Sequence, residues 1–238
     1  EVTALRATRT SEIDHKAPYY IIANTSESAV RAVNRAIRDG KKVYLTDDGY
    51  IVDTPTFANL LKNYAIYGDA LYKTPQGQTL KALKVYAPPH QYYWAGVDTP
   101  AHTALALKNL GFDIVNTPEE ADVIVLESDN FDKSLLGLKP TIVVGGTAMQ
   151  RLEELGVVDG FDAEQLKNGG DYEGLMKAII DDKDPLTSGY NKNDLFYSNS
   201  GNWIAKVPAN FKTLASIAGS DYYIAGWWPG NEQLANKI

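Results

Sequence analysis

Residues 121–149 read ADVIVLESDNFDKSLLGLKPTIVVGGTAM. Two short apolar runs, Ala121 to Leu126 and Thr141 to Val144, flank a polar segment. Runs of this length, rich in β-branched residues and bounded by turn signals, form buried strands. The second run ends in Gly145-Gly146-Thr147 and gives way to helical spacing over Met149 to Leu155. A strand that feeds a helix through glycines is the βα step of an open α/β sheet.

The same alternation extends outward. Upstream, Leu83 to Ala87 reads as a strand, Thr99-Pro100 opens a helix ending at Leu110-Gly111, and Phe112 to Val115 is a strand. Downstream, Gly174 to Ile180 is predicted helical, followed by strands at Leu195–Ser198, Trp203–Val207 and Tyr222–Gly226. Alternating strands and helices imply a mostly parallel sheet covered on both faces.

Residues 68–81 lack a clear period and mark a domain boundary, giving units 1–78 and 79–238. In the first, residues 1–17 are expected to form an arm, and Pro18 to Ala23 a buried strand. Asn24 and Glu27 have capping-box spacing before a helix that stops at Gly40. Lys42 to Thr46 and Tyr50 to Val52 are strands, and Thr54-Pro55 starts a second helix.

Of the 238 residues, 23 are basic and 30 acidic, a net charge of −7. That balance disfavours nonspecific nucleic-acid binding, which needs cations against phosphates. The absence of cysteine excludes disulfides, thiolate metal sites and a Cys nucleophile. No apolar run reaches the length of a membrane span. Opening on Glu1 with no leader, the chain is expected to be a fragment or a processed form.

The three histidines, His15, His90 and His102, fall in no metal-binding spacing, so no metal or cofactor is expected. Gly145-Gly146 resembles the turn of a nucleophile elbow and offers amides to an anion, but the exposed position holds Thr147. Threonine needs an adjacent base to act as nucleophile, so Thr147 is expected to cap the helix. His90 follows a strand whose carboxyl end is where open sheets bind ligands. Aromatics cluster at Tyr92-Tyr93-Trp94, Trp203 and Trp227-Trp228. Such faces stack on sugars or apolar ligands and also dominate interfaces.

Residues 83–146 resemble the class I glutamine amidotransferases, through LKVYA, GFDIV, ADVIVL and TIVVGG in that order. The resemblance implies a flavodoxin-like fold for 79–238. In active members the elbow carries Cys and a late strand leads into His-Pro-Glu. Here Thr147 takes the first place, and Trp228, in Trp227-Trp228-Pro229, takes that of the histidine. Both catalytic groups are thus missing.

Residues 18–230 are also similar to the region after the catalytic domain of secreted zinc carboxypeptidases, through PYYII, GKKVY, YIV and DPLTSGY (184–190). This implies a secreted or cell-surface accessory region without catalysis, attached to an upstream catalytic domain of the same polypeptide. Peptide or cell-wall glycan would be its ligand. His90, Tyr92, Tyr93, Trp94, Gly145, Gly146, Thr147, Trp203, Trp227 and Trp228 would line the cleft. Two alternatives are a hydrolase using Thr147 with His90, and a carbohydrate-binding module.

Overall fold

The computed structural model describes residues 13–92, 97–99, 102–165, 172–187, 189–199 and 201–238; for 90–92 and 97–99 it describes the strands alone. Two compact units emerge: Glu1–Ala82 with Asn109–Gly111, and Leu83–Lys108 with Phe112–Ile238.

The first unit runs β1 (Tyr19–Ile22), α1 (Glu27–Arg38), β2 (Tyr44–Thr46), β3 (Gly49–Asp53), α2 (Thr54–Leu60), β4 (Gly68–Leu71) and β5 (Gln78–Thr79). Its five strands lie in the order β4-β1-β3-β2-β5, and every pair is antiparallel. Asp47-Asp48 join β2 and β3 as a tight hairpin, a connection that only antiparallel neighbours allow. One sheet face packs on the helices. Tyr20, Ile22 and Val52 meet Ala29, Ala32, Val33 and Phe57, all nearly inaccessible to solvent. The Tyr20 and Phe57 rings stack at 4.2 Å.

The caps differ from expectation by one or two residues. Ser26, not Asn24, caps α1, its hydroxyl accepting from the Ala29 amide at 3.1 Å. Asp53 caps α2 by accepting from the Thr56 amide at 2.8 Å, which makes Thr54 the first helical residue. Such a cap contributes about 1 kcal/mol. Of the expected arm, residues 1–12 lie outside the described residues. Within residues 13–17, Ala17 is buried and Ile13 packs against the core, while His15 and Lys16 are exposed.

The second unit continues with β6 (Lys84–Tyr86), β7 (His90–Tyr92), β8 (Val97–Thr99), α3 (His102–Asn109), β9 (Asp113–Ile114), β10 (Val123–Leu126), β11 (Thr141–Val143), α4 (Gly146–Glu154) and β12 (Asp162–Gln165). It ends with β13 (Glu173–Ile180), β14 (Asn193–Ser198), β15 (Asn202–Lys206), β16 (Ala215–Ile217) and β17 (Tyr223–Trp227). Four strands form a parallel sheet in the order β11-β10-β6-β9. Numbered within that sheet and read from β9, the order is 2-1-3-4, which is the flavodoxin-like winding. The α/β, flavodoxin-like character expected for this unit therefore holds, with α3 connecting β6 to β9 and α4 following β11.

The rest of the unit departs from it. β13 is a strand, not the expected helix, and pairs antiparallel with β14, β16 and β17. β12 pairs antiparallel with β15. Leu175, Met176, Lys177 and Ala178 are good helix formers, but three neighbouring strands override that propensity. Gly174, Met176, Ala178 and Ile180 face the core, and the residues between them face outward.

Candidate functional site

In an open parallel sheet, ligands bind beyond the carboxyl ends of the strands, where the winding reverses. Here that point lies between β6 and β10. β10 is buried along Ile124, Val125 and Leu126, and the chain then emerges at Glu127. The Glu127 carboxylate accepts from the His102 amide at 2.5 Å and the Thr103 amide at 2.6 Å, and also from the Thr103 hydroxyl. It thus fills the amino end of α3, whose free N–H groups attract anions. Burial raises the pKa of Glu127. The Thr103 hydroxyl, the two amides and the His102 charge together outweigh it, leaving the pKa below the ordinary value. This carboxylate caps the first described turn of α3. Beside it, Asn130 donates to the Pro89 carbonyl at 2.9 Å, tying the loop after β10 to the loop after β6.

The elbow follows β11. Gly145 caps α4 with φ +87°, a conformation that favours glycine, and no side chain makes the cap bond. Thr147 sits inside the helix and points to solvent, so it is not the expected cap. Among the described residues its hydroxyl has no hydrogen-bonded base. Gly146 is roofed by β15, since a Cβ placed there would lie 2.1 Å from Asn202 Cγ. Gln150 Nε2 donates to Asn202 Oδ1 at 3.0 Å and to Gln165 Oε1 at 2.9 Å, which holds the roof in place. Ala148, fully buried, fixes the helix against Ile124, Leu126 and Phe131.

The aromatic candidates separate. Trp203 and Trp228 are 6% and 3% exposed, in a core with Tyr172, Met176, Tyr222 and Leu234. Contrary to expectation they are packed in this core, and among the described residues neither buried indole N–H has a hydrogen-bond partner. Trp227 is 59% exposed, its ring stacked on Tyr172 at 5.4 Å. Consecutive strand residues point to opposite faces, so one member of the pair enters the core as the other leaves it. The side chains of His90 and Tyr92, and the whole of Tyr93 and Trp94, lie outside the described residues. His102 is exposed.

Sequence reasoning missed the surroundings of Trp227. Glu173 pairs with it across the sheet, and Tyr197 donates its phenol to Glu173 Oε2 at 2.9 Å. That bond raises the Tyr197 pKa, with desolvation and the carboxylate charge adding to it. An exposed indole, a carboxylate and a phenol thus share the outward face of β13 and its neighbours. The signal was the aromatic on each flanking strand, masked by reading β13 as a helix. In the DPLTSGY segment, Pro185–Thr187 form a braced turn. Lys212 bridges Asp184 at 2.6 Å and Asp181 at 2.9 Å, while Leu186 and Tyr190 remain exposed.

A separate groove of about 890 Å³ lies on the helix-free face of the first sheet, lined by Ile21, Ile51, Leu71, Tyr72 and the Asp47-Asp48 turn. Among the described residues no three metal-ligating side chains gather, and no helix is long and apolar enough to cross a membrane.

No protein-family model and no curated protein matches this chain. Among solved structures it is similar to a Thermoplasma acidophilum protein assigned as one of the subunits of GMP synthase. The two are 16% identical with a TM-score of 0.39, over 58% of this chain and 75% of that one. The flavodoxin-like character of the second unit rests on its own strand order and directions.

Proposed function

We propose that this chain is a noncatalytic accessory region of a larger secreted, zinc carboxypeptidase-like protein, and that it contributes binding surface rather than chemistry. The observation that carries the noncatalytic part is the Thr147 hydroxyl, exposed but without a hydrogen-bonded base among the described residues. An elbow nucleophile needs such a base to become reactive. Asn202 closes the space over the neighbouring Gly146, and Trp228 is packed in the core. The carboxypeptidase parent rests on the sequence likeness over residues 18–230. The surface we favour is Trp227 with Glu173 and Tyr197, an indole face for a sugar ring or an apolar peptide side chain beside two polar groups.

The test has two arms. Purified chain and Thr147→Ala are assayed with glutamine, a generic ester and a peptide, and equal background rates are expected. Turnover that Thr147→Ala abolishes would restore the hydrolase. In the second arm, retention on insoluble peptidoglycan is compared with Trp227→Ala, which is expected to lose it. Equal retention would remove the Trp227 surface. The parent is identified by tagging the chromosomal copy and sequencing the captured polypeptide; one without an H-x-x-E zinc domain overturns that part.

A further inference from the structure

Among the described residues β14 is an edge strand, bonded to β13 on one side only. Its residues Leu195, Phe196 and Tyr197 are 56%, 45% and 58% exposed. Native proteins normally blunt such an edge, because open N–H and C=O groups beside apolar side chains recruit another strand. The hydrogen-bond parity shows which groups are open. The Ile180 amide donates to the Lys192 carbonyl at 2.9 Å, so even-numbered residues of β14 bond toward β13. Asn193, Leu195 and Tyr197 therefore direct their N–H and C=O groups outward. Among the described residues, the Leu195 amide is met only by the neighbouring Asp194 carboxylate, at 2.8 Å.

We propose that β14 pairs antiparallel with β14 of a second copy of this chain, with the two-fold axis at Phe196. The strand is self-complementary in that register. Leu195 falls opposite Tyr197 of the other copy, twice, as hydrogen-bonded pairs that use the outward groups. Phe196 faces its twin as a non-hydrogen-bonded pair, and Asp194 meets Ser198. Moving the axis to Leu195 sets Asp194 against Phe196, and moving it to Asp194 sets two carboxylates face to face. Apolar cross-strand pairs stabilise a sheet, and like charges directly opposite destabilise it. The same patch on both partners is the signature of a two-fold interface. Asp194 acts as a guard, since pairing must displace it from the Leu195 amide.

The chain contains no cysteine, so a single introduced thiol can cross-link only to its twin. Close Cα atoms in non-hydrogen-bonded pairs suit a disulfide. Under mild oxidation Phe196→Cys is expected to form a covalent dimer, while Leu186→Cys, on an exposed turn, is not. Analytical ultracentrifugation of the unmodified chain is expected to show a dimer. Phe196→Lys, which opposes two ammonium groups, weakens it at least about ten-fold, and Asp194→Ala strengthens it. A monomer at hundreds of micromolar, a dimer indifferent to Phe196→Lys, or equal cross-linking of both cysteine variants would overturn the proposal.

Discussion

The Asn202 side chain fills the space over Gly146 so closely that a methyl group there would sit 2.1 Å from Asn202 Cγ and 2.5 Å from its Cβ. Contact at the Cβ means that the β15 backbone, and not only a rotamer, must move. Gly146→Ala is therefore expected to destabilise the fold by about 1–3 kcal/mol, the usual cost of overpacking. Thr147→Ala, one residue on and exposed, changes stability by less than about 0.5 kcal/mol. Urea denaturation of the two variants checks both, and an unaffected Gly146→Ala would mean the roof is loose.

Trp228 gives a second test. Trp228→Ala removes a large buried ring and should cost about 3–5 kcal/mol. Trp228→Phe keeps most of the packing and deletes an indole N–H that has no partner among the described residues, so its loss stays below about 1.5 kcal/mol. Chemical denaturation separates the two, and equal losses would show that the N–H is in fact bonded.

Glu127 predicts a pH dependence. Its folded pKa lies below the ordinary 4.5, because hydrogen bonds from Thr103 and His102 outweigh a burial penalty that acts the other way. Its contribution is therefore complete above about pH 4.5 and is lost as pH falls through the folded value. The gap between the native chain and Glu127→Gln, about 1–2 kcal/mol for a capping carboxylate, should be flat from neutral pH to about pH 5 and close in acid. A gap that widens in acid would refute the assignment.

Trp227→Ala should leave the fold nearly intact, losing less than about 1.5 kcal/mol, since the ring is mostly exposed and stacks on Tyr172. Retention on peptidoglycan should drop about ten-fold. Thermal melts alongside binding assays distinguish a lost surface from a lost fold.

The winding of residues 83–146 was legible because strands, loops and glycines each gave the same local answer. β10 has a buried apolar run, and the positive φ of Gly145 is what a βα turn needs. β13 was not legible. Its sequence EGLMKAII places apolar residues on both faces, so neither a period of two nor of 3.6 stands out. Its strand state is set by β14, β16 and β17, which are distant in sequence. That error hid the Glu173 and Tyr197 partners of Trp227. The aromatic doublet was misread for a related reason: adjacency in sequence suggested one shared cleft, whereas strand pleating sends the two rings to opposite sides. The α3 cap was out of local reach, because Glu127 lies 25 residues from His102.

The Glu127 carboxylate at the amino end of α3 amounts to a tethered competitor. Any free phosphate or carboxylate seeking those amides must evict a group whose effective concentration is set by the fold and not by the solution. The crevice that in this winding ordinarily receives a nucleotide or coenzyme is, in this protein, already loaded by its own chain.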